Sequence, residues 1–149
     1  MACYRATFAD VYRYAAMLCG ADRTAAEDLV HDVYLGVLTA ARRGAVREVS
    51  VGYLTTATRH RFLDRLRSAQ REEQRLRLVS SVAAVDEAGA MPALLADLPE
   101  RERAILVLRY VDDLTVAQAA EELGISAHAA ESLAARAIRR LRRQEARDA

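Results

Sequence analysis

Tryptophan and lysine are both missing from this chain, and aromatic residues make up only 5% of it. Its 22 Lys-plus-Arg positions are therefore all arginine, a bias that coding preference explains most simply. Two cysteines, Cys3 and Cys19, form no CxxC pair and exclude a disulfide framework. Cys19 falls on an apolar helical face, where a buried reduced thiol is expected. No apolar run approaches the roughly 18 residues of a membrane span, and the N-terminus has no secretory-signal pattern. These absences predict a cytoplasmic protein with no membrane insertion. Charge of neither sign dominates, since the formal net charge is +1, so the total announces no nucleic-acid partner. A nucleophile elbow, a P-loop, a Gly-rich dinucleotide turn and zinc spacing are all missing too. No catalytic residue, metal or cofactor is expected, and the chain reads as a binding protein rather than an enzyme.

What is present is helical periodicity. The chain has 149 residues, 52% hydrophobic and 29% charged, enough for one ordinary domain or two small ones. Phe8, Val11, Tyr12, Ala15, Leu18 and Cys19 draw one helical stripe, closed by Gly20 as a C-cap. Thr24 with Glu27 predicts a capping box for a second helix, whose inward side is Ala26, Val30, Val33, Tyr34, Val37, Leu38 and Ala41. A third helix opens near Ser50 and runs through Leu54, Leu63 and Leu66. From residue 68 to residue 93 the pattern dissolves into a linker, although Gln70 to Leu78 could extend the third helix. Asp97-Leu98-Pro99-Glu100 opens the second half, whose first helix turns Ala104, Ile105, Leu108 and Val111 inward. The expected class is all-α: a small N-terminal helical bundle (1–67), a flexible linker (68–93) and a C-terminal helix-turn-helix domain (94–149).

The sharpest local signal lies between Leu114 and Leu141. Thr115 and Gln118 form a second capping box, and the short helix they start ends at Leu123 before Gly124-Ile125-Ser126. A longer helix follows, and a turn glycine between two amphipathic helices is the helix-turn-helix pattern. The second of these carries Arg136, Arg139, Arg140, Arg142 and Arg143 against one acid, Glu131. Arginines beside a duplex neutralise phosphates, while residues near the N-terminus of such a helix reach base edges. The third helix gives a weaker signal. Arg59, Arg61, Arg65, Arg67, Arg71 and Arg75 outnumber Asp64, Glu72 and Glu73, with Tyr53, His60 and Phe62 interleaved. Cations with stacking rings suit single-stranded nucleic acid, and a solvated arginine face would look the same. On the second helix Asp28, His31, Asp32, Leu35 and Thr39 share a side opposite the apolar stripe. With one histidine and no completing acid or cysteine, metal ligation is a poor fit. An exposed leucine among acids reads better as a docking surface for a basic protein partner.

With these residues in place, the chain resembles the extracytoplasmic-function sigma factors of bacterial RNA polymerase, a branch of the sigma-70 family. Four stretches carry the resemblance: Ala26 to Tyr34; Tyr53-Leu54 through Arg59-His60 to Arg67; Leu98 to Arg103 with Leu108-Arg109-Tyr110; and the helix-turn-helix. It implies core RNA polymerase and promoter DNA, duplex and melted, as partners, with an anti-sigma factor as inhibitor. Asp28, His31, Asp32 and Leu35 would then dock on the polymerase. Tyr53, Arg59, His60, Arg61, Arg65 and Arg67 would open and read the minus-ten element, holding an unstacked base. Ser126, His128, Glu131, Ser132, Arg136, Arg139 and Arg140 would read the minus-thirty-five element in the major groove. Three positions depart from the family pattern: His60 for the usual asparagine, Tyr53 for a frequent tryptophan, and Glu131 where a basic residue is common. No regulatory domain is expected after the recognition helix. A free-standing helix-turn-helix regulator is the alternative, and a sigma mimic that sequesters another protein is a third reading.

Overall fold

The computed structural model describes residues 2–20, 22–73 and 90–149, and among these the regular structure is entirely helical. Helix α1 spans Ala2–Cys19, α2 Arg23–Arg42 and α3 Val51–Glu73, followed by α4 at Ala90–Leu95 and α5 at Glu100–Leu106. A π-helical turn, Val107–Val111, extends α5, and α6 (Val116–Leu123) and α7 (Ala127–Asp148) complete the chain. The expected all-helical class holds. Most of the anticipated linker, residues 74–89 with Arg75, lies outside the described residues. Helix α3 itself continues to Glu73, past the expected boundary at residue 67.

Helices α1, α2 and α3 pack as a three-helix bundle around Val11, Ala15, Leu29, Val30, Leu54 and Leu63, all at 2% exposure or less. Along the stripe on α1, Val11, Ala15 and Leu18 are buried and Phe8, Tyr12 and Cys19 pack partly buried against them, and Gly20 takes φ +63 at the helix end. Two details of α2 differ from expectation. Its cap is Asp22, whose carboxylate accepts from the Ala25 amide at 3.1 Å, so Thr24 is not the cap. Glu27 instead pairs with Arg23 at 3.0 Å, one turn away on the exposed face. Leu38, 49% exposed, and Ala41 face solvent rather than inward, the fully buried part of α2 ending at Val33.

The second half does not stand apart. Leu95, Leu98, Ile105, Leu108 and Leu123 belong to the same continuous hydrophobic cluster as Val11, Leu18 and Leu63. Helix α1 makes this possible by burying two faces. At roughly 100° per residue, its buried arc extends past the predicted stripe to Tyr14 on one side and Ala16 on the other. Arg103 of α5 is only 8% exposed and crosses between the halves. It donates to the Leu18 carbonyl at the C-terminus of α1 (2.7 Å) and to the Leu98 carbonyl (2.8 Å). A guanidinium there meets the negative end of the α1 dipole. Gly20 leaves it room: a Cβ at that position would lie 2.5 Å from Arg103 Nη1.

The π-turn explains a second departure. Its wider bonding, with the Asp112 amide reaching the Val107 carbonyl at 2.9 Å, inserts a residue into the helical register. Val111 is thereby rotated outward to 42% exposure instead of completing the apolar side of α5. Tyr110 beside it is 65% exposed.

Candidate nucleic-acid interface

Helices α6 and α7 form the helix-turn-helix their sequence encodes. Thr115 Oγ1 accepts from the Gln118 amide (3.2 Å) and Gln118 Oε1 from the Thr115 amide (2.9 Å), which closes the predicted capping box. Gly124 then takes φ +66, a left-handed conformation that side chains rarely adopt, and turns the chain toward α7. Ala119 and Ala120 are buried between the two helices, and Leu123, Ala130, Leu133 and Ala137 fill the contact. Small residues on both sides permit the close crossing.

This packing, together with that against α5, covers one side of α7, where Ala134, Ile138 and Leu141 are also partly buried, and leaves the opposite side in solvent. His128, Glu131, Ser132, Arg136 and Arg139 are exposed along its outer side. Ser126 is also exposed, but its hydroxyl is already occupied as the N-cap, accepting from the Ala129 amide at 3.1 Å. Arg140 points back to the scaffold. Its Nε donates to Glu102 Oε1 at 3.2 Å and lies 2.9 Å from Oε2, and that carboxylate side chain is 5% exposed. Arg140 therefore ties α7 to α5. The exposed arginines Arg136, Arg139, Arg142 and Arg143, without an acceptor among the described residues, supply the free positive charge.

The arginines of α3 are engaged differently. Arg65 bonds Asp32 of α2, and the Arg61 guanidinium lies so near Gly36 that a Cβ there would fall 2.8 Å from Nη2. Arg67 bonds the Glu122 carbonyl of α6 and, at 3.3 Å, Asp64. Arg59 is only 14% exposed and sits 3.7 Å from Asp112, a residue of the second half. That carboxylate also accepts from the Tyr14 hydroxyl at 2.6 Å. Burial is the main cause pushing the Asp112 carboxyl above the usual aspartate range, and the same effect raises the Tyr14 phenol. Of the ring-bearing residues expected to stack on bases, Tyr53 (41%) and His60 are exposed, whereas Phe62 is 4% exposed in the core. Phe62 is thus a packing residue, since it shares the inward face of α3 with Leu63 and Leu66.

The structure brings the α2 residues onto one surface: Asp28, His31 and Leu35 are exposed, Leu35 by 50%, with the half-buried Asp32 held by Arg65 between them. Around Cys19, burial lifts the thiol to about 12, so its reactive thiolate is scarce at neutral pH. No group of three or more His, Cys, Asp or Glu side chains that could hold a metal occurs among the described residues. No helix among them is long and apolar enough to cross a membrane. Reasoning from the sequence missed Tyr14, Glu102, Arg103 and Asp112. Each acts through a partner at least 38 residues away, and no local spacing signals that.

Two family models match the chain in succession: Sigma-70 region 2 over residues 3–72 and Sigma-70, region 4 over residues 88–141. The RNA polymerase sigma factor SigF of Mycobacterium tuberculosis (strain ATCC 25618 / H37Rv) is 51% identical over 51 residues, which is 34% of this chain and 20% of that protein. The RNA polymerase sigma-F factor of Kitasatospora aureofaciens is 44% identical over 61 residues, 41% of this chain and 20% of its own length. These matches span a fifth of the relatives they reach. A solved structure shares the fold across both halves: the sigma factor RpoE in complex with the anti-sigma factor NepR from Bartonella quintana. Its TM-score is 0.54 at 22% identity, covering 91% of this chain and 89% of that one. With its first half matching region 2 and its second half region 4, in the order that the sequence resemblance requires, the chain belongs to the sigma-70 family.

Proposed function

We propose that this protein is a sigma factor of the extracytoplasmic-function type, which binds core RNA polymerase and directs initiation at a specific class of promoters. The single observation that carries this reading is the pairing of a region 2 bundle with a region 4 helix-turn-helix whose recognition helix presents free arginines to solvent. In this reading α7 enters the major groove of the minus-thirty-five element. His128, Glu131 and Ser132, in the early turns of α7, meet base edges, and Arg136 and Arg139 contact phosphates. Ser126 contributes by capping that helix. Tyr53 and His60 face the minus-ten element, with Arg59, Arg61, Arg65 and Arg67 supplying charge along α3. Asp28, His31, Asp32 and Leu35 form the polymerase-docking surface, where an apolar centre ringed by acids suits a basic partner. The protein works in the cytoplasm beside its polymerase and carries no chemistry of its own. An anti-sigma factor is a further expected partner, in keeping with the complex in which the structurally similar RpoE is found.

Run-off transcription tests the proposal. Core polymerase is incubated with fragmented genomic DNA, with and without the protein. Discrete start sites that need the protein are the expected result. No new initiation, together with a specific shift of duplex DNA by the protein alone, would sink it.

A further inference from the structure

We propose that Glu131 sets one base of the upstream promoter element, by accepting the N4 amine of a cytosine in the major groove. The inference rests on the promoter-binding role proposed above and names the base that α7 selects. Helix α7 is divided by charge. Residues 127–135 carry Glu131 and no arginine, whereas residues 136–143 carry Arg136, Arg139, Arg140, Arg142 and Arg143 and no acid. At roughly 100° per residue, His128, Ser132, Ala135 and Arg139 run along the side opposite the buried Ala130, Leu133 and Ala137. Glu131 lies on one edge of that exposed side and Arg136 on the other, about 7.5 Å apart along the axis.

The fold gives this acid no employment. Glu131 has no ion pair or side-chain hydrogen bond among the described residues, in contrast to Glu102, which Arg140 engages. Ala127, Ala134 and Ala135, three or four residues away, carry no charge, and His128 makes no ion pair with it. Helix capping does not explain it either. Ser126 already caps α7, and no acid stands in the first turn, where the macrodipole acts. A duplex makes the acid costlier still, because it adds a negative phosphate about every 1.7 Å of its axis. What offsets that cost is an amine. A carboxylate offers acceptors only, so the O6 and N7 of guanine and the O4 of thymine repel it. Adenine sets an acceptor, N7, beside its N6 amine, whereas cytosine presents its N4 amine alone. Cytosine is therefore the base that suits Glu131.

The test is transcription by core polymerase reconstituted with the full chain, on a library made from one promoter that run-off has located. Its upstream element is randomised over about one helical turn, and each template carries a downstream tag that identifies it in the transcript. Wild type, Glu131→Gln and Glu131→Ala are compared by sequencing the tags. Wild type should favour cytosine at one position by about tenfold, within the discrimination of a good base-edge contact. Glu131→Gln, whose amide adds a donor, should move that preference to adenine, which offers N6 and N7 side by side, and leave the rest of the motif unchanged. Glu131→Ala should flatten the preference at that position alone. The glutamine variant keeps the side chain's shape and decides the matter should the alanine variant lose stability. A gain in the use of all sequences alike, with the wild-type motif retained, would mean that the acid only repels phosphate and would overturn the inference. So would a base other than cytosine in the wild-type motif at the position that responds. Initiation that needs the protein but shows one motif for all three chains overturns the assignment of Glu131 alone. No initiation at all overturns the proposed function and the assignment with it.

Discussion

Helices α3 and α7 have much the same composition, long and rich in arginine, and they use that arginine in opposite ways. Helix α3 packs against α1, α2 and α6, so Arg59, Arg65 and Arg67 each find an acceptor on a neighbouring element and Arg61 lies against α2. Helix α7 packs by one side, and Arg136, Arg139, Arg142 and Arg143 stay in solvent while Arg140 alone turns inward to Glu102. A basic stretch of sequence is therefore no measure of available charge. What decides is how many sides of the helix are covered, and whether acceptors lie on the covering surfaces.

The largest expected effect follows from the free arginines. Replacing Arg136, Arg139 and Arg142 together by alanine removes three cations aimed at phosphates. At a slope of about 0.9 per phosphate, the fall in duplex affinity between 50 and 200 mM salt should shrink by roughly 40-fold. Thermal stability should move by no more than about 0.5 kcal/mol, since none of the three has a structural partner among the described residues. Substituting Arg59, Arg65 and Arg67 instead should lower the melting temperature. An α7 triple variant that melts early, or an unchanged salt slope, would erase the contrast between the helices.

Arg140 sharpens the comparison from within α7. Arg140→Ala strands the buried Glu102 carboxylate without its cation and should cost about 2 kcal/mol of stability. Glu102→Ala removes the buried charge and leaves a half-exposed arginine free to hydrate, so it should cost less, about 1 kcal/mol. Chemical denaturation of both variants against Arg139→Ala, expected to be neutral, checks the ordering. Equal losses for Arg139 and Arg140 would return Arg140 to the DNA-contacting set.

Much of this contrast could not be read from the sequence. The helix-turn-helix was legible because its signals are local: Thr115 with Gln118, a left-handed Gly124, and alanines at the crossing. The three-helix bundle was legible for the same reason, through the stripe on α1 and the start of α3 at Ser50, whose hydroxyl accepts from the Tyr53 amide at 3.1 Å. Docking of the halves was not, because periodicity reports one apolar face and α1 buries two. Val111 was misplaced since a π-turn leaves no mark in residue spacing. Phe62 was taken for a stacking ring because an aromatic among arginines reads alike in either role, and only packing decides. For the site, the exposed faces of α2 and α7 were legible as patterns, while the acceptors that engage the arginines of α3 were not, being Asp32 on another helix, Asp112 from the other half and a backbone carbonyl.

The smallest effect tests whether those α3 arginines contribute stability or merely rest on their neighbours. Asp32 and Arg65 are each about 43% exposed, so solvent screens their attraction. A double-mutant cycle with Asp32→Asn and Arg65→Gln should return a coupling of about 0.5 kcal/mol at low salt, within the range of surface pairs. The coupling should fade toward zero as salt rises above about 0.5 M, where the screening length is only a few ångströms. Asp32 also lies on the surface proposed to meet the polymerase, so the cycle is read by denaturation of the protein alone. A salt-dependent coupling means that α3 is held to α2 by charge as well as by Leu54 and Leu63. Zero coupling at every salt concentration would mean that Arg65 is a solvated cation like those of α7, and the difference between the helices would then rest on Arg59 and Arg67.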